Sequence, residues 1–199
     1  MIIKKVVVGD LETNCYIIED DGNLVIIDPG AEAEKIFAEL SDNKIRSCVV
    51  ILTHVHPDHI GAVDEISGKL KCPIYMHTLD SAWLKQIFGS VFPGLHNVED
   101  KEIIKASSLH LKVIHTPGHS EGGICLYIEK EGILFSGDTL FQGDVGRTDL
   151  MGGSKEQLVA SIKKLMKLPD TVKVYPGHSS NTTIEKEKQY NWFVKELGI

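Results

Sequence analysis

The chain has 199 residues, 42% hydrophobic and 25% charged. That is an ordinary globular composition, long enough to bury a substantial core without staples. A formal net charge of −7 disfavours a broad nucleic-acid surface, which needs clustered Lys and Arg against phosphates.

Strand-like apolar runs open the chain at 2–8, 14–18 and 24–27. Asp20-Asp21-Gly22 signals a hairpin between the last two, and Asp28-Pro29-Gly30 ends the third. Residues 31–40 have helical spacing, with Ile36, Phe37 and Leu40 on one face. Cys48–Leu52 is a short β-branched run of the kind found in buried strands. Pro57 suits a first helical turn, where its missing N–H would be unpaired anyway. Residues 58–67 are therefore predicted as one helix. The segment 77–107 is the least regular: a flap or pocket wall, or a plain surface helix and loop. Strands are predicted at 110–115, 123–128 and 132–137, and a strand and turn at 171–177. Helices are predicted at 154–168, with Leu158, Ile162 and Leu165 on one face, and at 184–197. Strands followed by strand–helix units in each half imply one domain over 1–199. It is an α/β fold with two sheets face to face and helices outside.

The four cysteines, Cys15, Cys48, Cys72 and Cys125, form no C-x-x-C pair. Buried free thiols are expected, rather than a disulfide framework or a reactive thiol. No signal-peptide pattern is visible, nor a run of the roughly 20 apolar residues that a membrane span needs. A soluble cytoplasmic protein, without membrane or nucleic-acid partners, is the expectation.

The chemistry concentrates in residues 50–63, VILTHVHPDHIGAV. His54, His56, Asp58 and His59 follow a buried strand within six residues. At this composition, chance gives such an H-x-H-x-D-H run in only about one sequence in a thousand. In an extended strand end, residues i and i+2 point the same way, so His54 and His56 can face one ion. Asp58 and His59 begin the next turn and point toward a second position. Three further donors sit in turns after apolar runs: His119 in HTPGHS, Asp138 in FSGDTLF and His178 in YPGHSS. Each alone is weak evidence. Together, seven N/O donors suit two divalent ions with a bridging carboxylate. His77, His96, His110 and His115 have no partner at ligand spacing and are expected to be surface or satisfied histidines.

These motifs resemble the metallo-β-lactamase superfamily and, within it, the glyoxalase II-like hydrolases. The likeness runs through TNCYII (13–18), VIIDPG (25–30), THVHPDH (53–59), TPGHS (116–120), GDTLFQGDVGRTDL (137–150) and YPGH (175–178). It implies an αββα sandwich with a dinuclear site at its open edge. His54, His56 and His119 would hold one ion, and Asp58, His59 and His178 the other, with Asp138 bridging. The ions would be zinc first, with iron or manganese also suited to such donors. The implied reaction is hydrolysis of a thioester, such as S-lactoylglutathione or a related acyl thiol, by a metal-bridging hydroxide that Asp58 orients. Asp28 and Thr53 would support the ligand loop. Arg147, in Gly-Arg-Thr-Asp (146–149), would bind an anionic substrate or pair with Asp144 or Asp149. The chain resembles the short bacterial relatives that lack a C-terminal glutathione-binding helical domain. It also has Ser179 where a glycine commonly follows the last ligand. Two rival activities share the motifs: a persulfide dioxygenase with one iron on His54, His119 and Asp138, and a lactonase or phosphodiesterase.

Overall fold

A computed structural model describes residues 1–41 and 45–199. The first six strands form one mixed sheet in sequence order: β1 (Ile2–Val8), β2 (Thr13–Asp20), β3 (Asn23–Ile27), β4 (Ser47–Ile51), β5 (Ile74–His77) and β6 (Leu95–Val98). β1, β2 and β3 run antiparallel, and β3 to β6 are parallel. The second sheet has the order β12-β11-β10-β9-β8-β7. Its strands are β7 (Ile103–Ala106), β8 (Leu109–His115), β9 (Ile124–Ile128), β10 (Ile133–Gly137), β11 (Lys173–Pro176) and β12 (Thr182–Thr183). All its neighbours are antiparallel except β10 and β11.

Side-chain alternation builds three apolar layers from this order. Tyr16, Ile18, Val25, Ile27, Val49 and Ile51 meet Leu111, Val113, Leu126 and Phe135 between the sheets. Their neighbours Cys15, Ile17, Leu24, Ile26 and Val50 face outward onto helices α1 (Ala33–Ala38), α3 (Val63–Leu70) and α4 (Thr78–Phe88). On the far side, Cys125, Tyr127 and Leu134 pack under α5 (Lys155–Leu165), α6 (Ile184–Tyr190) and α7 (Trp192–Glu196). Strands with both faces covered read as continuous apolar runs, which is why β3, β4 and β9 were visible in the sequence. The αββα architecture expected from the motifs is the one observed.

Three elements differ from expectation. The helix predicted over 58–67 is two helices, α2 (Pro57–Ile60) and α3. Ala62 N–H donates to Pro29 O at 3.0 Å, and Gly61 packs onto the Gly30 carbonyl. That tertiary contact diverts the chain between the helices. The last helix also breaks, at Asn191, whose ψ is 121° and whose side chain caps α7 through Phe193 and Val194 N–H. The segment 77–107 contains the helix α4 and the strands β6 and β7, and α4 carries the buried Asp80.

Cys48 and Cys72 are joined in a disulfide, whereas Cys15 and Cys125 are buried and free. This corrects the expectation of four free thiols. Strand β4 and the turn before β5 are far apart in sequence, and only the parallel β4–β5 pairing sets the two residues side by side. By loop-closure entropy, a bridge of 24-residue separation stabilises the fold by about 3 kcal/mol. Reduction with a phosphine should lower Tm by about 10 °C, and a Cys48→Ser/Cys72→Ser variant should show no response to the reductant. An unchanged Tm in the wild type would contradict the bond's contribution. Burial raises both free thiols, Cys125 to about 11, so neither is a ready nucleophile. No helix among the described residues is long and apolar enough to cross a membrane.

Candidate metal centre

All seven sequence-predicted donors meet at one edge of the sandwich. They arrive on the carboxyl ends of four strands: His54, His56, Asp58 and His59 after β4, His119 after β8, Asp138 after β10 and His178 after β11. The two sheets are stitched together there. Ile124 N–H donates to Thr53 O at 2.9 Å, and Asn14 N–H to Gly177 O at 2.7 Å. The Asn14 side chain and the Tyr16 hydroxyl both donate to Pro176 O, at 2.9 and 2.8 Å. Rigid strand ends therefore fix the loops that carry the donors.

The donors separate into two triads, His54/His56/His119 and Asp58/His59/His178, each with ligand atoms within 4.8 Å of one another. Asp138 lies between them. Its Oδ1 is 3.4 Å from His59 Nε2, and its Oδ2 is 3.5 Å from His119 Nε2 and 3.4 Å from His178 Nε2. Asp58 Oδ2 is 3.3 Å from His178 Nε2 and accepts from Thr13 Oγ1 at 3.0 Å. Buried atoms without a hydrogen-bond partner include His54 Nε2, His119 Nε2 and Asp138 Oδ1. Buried polar atoms are normally satisfied, so orphaned donors converging in this way fit a divalent cation.

The ring orientations are set by partners behind the donors. Asp28 accepts from Thr53 N at 2.7 Å and Thr53 Oγ1 at 2.6 Å, and that hydroxyl is 3.1 Å from His54 Nδ1. Asp28 Oδ2 also lies 3.1 Å from His59 Nδ1. Asp28, His54 and His59 form a third compact group, but both Asp28 oxygens are engaged with Thr53, which makes Asp28 a support. Its backbone is left-handed, with φ of 51°, a conformation non-glycine residues hold only where the surroundings enforce it. Backbone carbonyls orient two other rings. His119 Nδ1 is 2.9 Å from Arg147 O, and His178 Nδ1 is 3.0 Å from Leu11 O. These carbonyl contacts carry no side-chain signature in the sequence.

The two triads differ in protonation. Burial lowers His54, His56 and His119, whereas neighbouring carboxylates, against burial, raise His59 and His178, so a cation in the second triad would have to displace their protons. Burial, reinforced by neighbouring imidazoles, holds His54 well below the ordinary histidine range and His56 at about 4. Both rings are therefore neutral at pH 7, as a ligand must be. Burial would raise Asp58, but His178, His59 and Thr13 hold it at about 2. Burial likewise opposes ionisation of Asp138, and His59 and His178 keep it well below the usual carboxylate range. Burial alone would lower His178, yet hydrogen bonds to Asp138 and Asp58 raise it to about 9.

Sequence reasoning missed Asp80, in the first turn of α4. Its side chain is buried, 2% exposed. Oδ1 accepts from Gly122 N at 2.6 Å, and Oδ2 from Val55 N at 3.2 Å and Ser120 Oγ at 3.1 Å. Burial pushes its carboxyl up to about 6 against these bonds. The one legible signal was an acid at the start of a helical stretch directly after a strand. The histidines set aside stay outside the triads. His77 and His115 stack at 4.1 Å, and His96 stacks on Tyr75 at 5.2 Å. Arg147 is exposed and forks onto Asp149, Nε to Oδ1 and NH2 to Oδ2, both at 2.7 Å.

Comparison with known proteins agrees with this geometry. Residues 8–178 match the profile of the metallo-beta-lactamase superfamily. A probable metallo-hydrolase, YqgX of Bacillus subtilis, is 35% identical, over 98% of this chain and 99% of its own. Hydroxyacylglutathione hydrolase GloC of Haemophilus influenzae is 34% identical, over 98% of each. Among solved structures, BLEG-1 B3 metallo-beta-lactamase superposes with a TM-score of 0.87 at 36% identity, over 97% of this chain and 99% of that one. TTHA1623 in a di-iron-bound form gives 0.84 at 35%, over 96% and 99%. With its two six-stranded sheets, its converging donors and these relatives, the chain belongs to the metallo-beta-lactamase superfamily, whose members here include metallo-hydrolases.

Proposed function

We propose that the protein hydrolyses a small anionic acyl thioester of the S-lactoylglutathione kind. The observation that carries this reading is the pair of complete donor triads with Asp138 between them. The named GloC relative supports the thioester class. Two divalent cations in these triads, zinc first and iron or manganese next, would supply Lewis acidity for activating water and polarising a carbonyl. The chain's own groups do the placing. His54, His56 and His119 present neutral nitrogens to one position, and Asp58, His59 and His178 face the other. Asp58, fixed by Thr13 Oγ1, keeps an ionised oxygen at the mouth of the second triad, where it orients the attacking water.

Arg147 supplies the anion contact. Its ion pair with Asp149 is solvent-exposed on both sides, and such pairs are worth little. A substrate carboxylate can therefore exchange with Asp149 in the same fork geometry. Arg147→Ala should raise KM about tenfold for an anionic thioester and much less for a neutral one, with kcat nearly unchanged. Equal effects on both substrates would instead favour a structural pair.

The direct test follows loss of thioester absorbance from S-D-lactoylglutathione. Turnover that a chelator abolishes and zinc restores is expected. No turnover from protein holding two ions would count against the thioesterase reading. The likeness to ETHE1 from Myxococcus xanthus, with a TM-score of 0.80 at 27% identity, supports keeping the rival reading of a persulfide dioxygenase with one iron on His54, His119 and Asp138. Oxygen uptake with a thiol persulfide by iron-loaded protein would favour it.

A further inference from the structure

We infer that Asp80 is a positioning residue for the first triad. Its carboxylate sets the spacing between the loop carrying His54 and His56 and the loop carrying His119. The inference rests on the metal-centre reading above but not on any substrate.

The three donors that Asp80 accepts are not scattered. Val55 lies between His54 and His56, Ser120 follows His119, and Gly122 closes the same loop. None belongs to the second triad, which is held by Thr13, the Leu11 carbonyl and Asp28, the last of which also reaches His54 through Thr53. Asp80 comes from a third element, α4, and so ties two loops that share no side-chain hydrogen bond with each other at these residues. The approach is close. A Cβ on Gly122 would stand 2.6 Å from Asp80 Oδ1, so the residue there must be glycine for the carboxylate to reach the backbone.

The helix itself is anchored for this purpose. His77 caps α4 by accepting from Leu79 N at 3.3 Å, and its ring stacks on His115, four residues before His119. Asp80 sits in the first turn, where the helix dipole favours a negative charge. A buried carboxylate is costly to the fold, and an apolar residue on this outer helix would avoid the cost. Fixing the distance between two ligand loops to a fraction of an ångström gives the charge a use that packing could not supply.

Asparagine keeps the shape but cannot replace the function. In either orientation its amide N–H₂ faces a backbone N–H, of Gly122 or of Val55, that then lacks an acceptor. The test reads zinc affinity by chelator competition in two backgrounds. His178→Ala leaves the first triad intact, and His56→Ala leaves the second. Asp80→Asn should weaken zinc about 10- to 100-fold in the His178→Ala background. In the His56→Ala background the change should stay below about twofold. Ser120→Ala, which removes one donor and keeps the charge, should give a smaller loss of about threefold in the first background only. It serves as the second probe should Asp80→Asn fold poorly. Equal losses in both backgrounds, or none in either, overturn the inference. Absence of zinc binding by both single-background proteins before Asp80 is changed would overturn the metal centre with it.

Discussion

Asp138→Ala should release both ions and reduce turnover by about 10³-fold. The two oxygens of this one carboxylate face both triads, at 3.4 to 3.5 Å from His59, His119 and His178. Asp58 would be the one carboxylate left among the seven donors. Two dications cannot be held near each other without the negative charge between them, because their mutual repulsion in a buried site is poorly screened. Asp138→Asn should fall between, since an amide offers one acceptor oxygen and no charge. Zinc per chain after dialysis, by atomic spectroscopy, checks the result. Two tightly held ions in Asp138→Ala would contradict the bridging position. Circular dichroism should remain close to wild type, because the strands that deliver the loops do not depend on this side chain.

Gly30→Ala should destabilise the fold by about 3 kcal/mol or push α2 out of place. A Cβ at residue 30 would lie 1.7 Å from the Asp58 carbonyl oxygen and 2.7 Å from its carbon. These are backbone atoms at the start of a helix pinned by Pro57 and by the Ala62–Pro29 hydrogen bond. They cannot rotate away as a flexible side chain would. Any relief moves Asp58 and His59 together, so the second triad should lose its ion before the first. Thermal denaturation and zinc stoichiometry read the two effects. Gly68→Ala in α3 is the control. Nothing lies within 4 Å of a Cβ there, and replacing a mid-helix glycine should raise stability by about 1 kcal/mol. Equal behaviour of the two variants would show that the close packing under α2 is not what residue 30 contributes.

The donor set was legible because metal binding demands rare side chains in fixed order. His54 and His56 share a face by strand periodicity, and His119, Asp138 and His178 each follow an apolar run that ends in a turn. The β-branched runs of β3, β4 and β9 announced buried strands for the same reason that they fold as such: both faces are covered. Ser179 marks the reverse case. Its φ of 67° explains why a glycine commonly follows the last ligand, since only glycine takes that conformation without strain.

The sequence by itself indicated two face-to-face sheets through its hydrophobic period, seven candidate donors through side-chain chemistry at strand ends, and the family through the resemblance of its motifs. Only the tertiary structure decided what holds the donors. Asp80, the Leu11 and Arg147 carbonyls, the break after α2 and the Cys48–Cys72 bond all depend on contacts between segments distant in sequence. Backbone carbonyls are chemically the same at every position, and a carboxylate in a helix's first turn is ordinary until a second loop is folded against it. Local periodicity carries no information about such meetings; the packing of two sheets at one edge creates them.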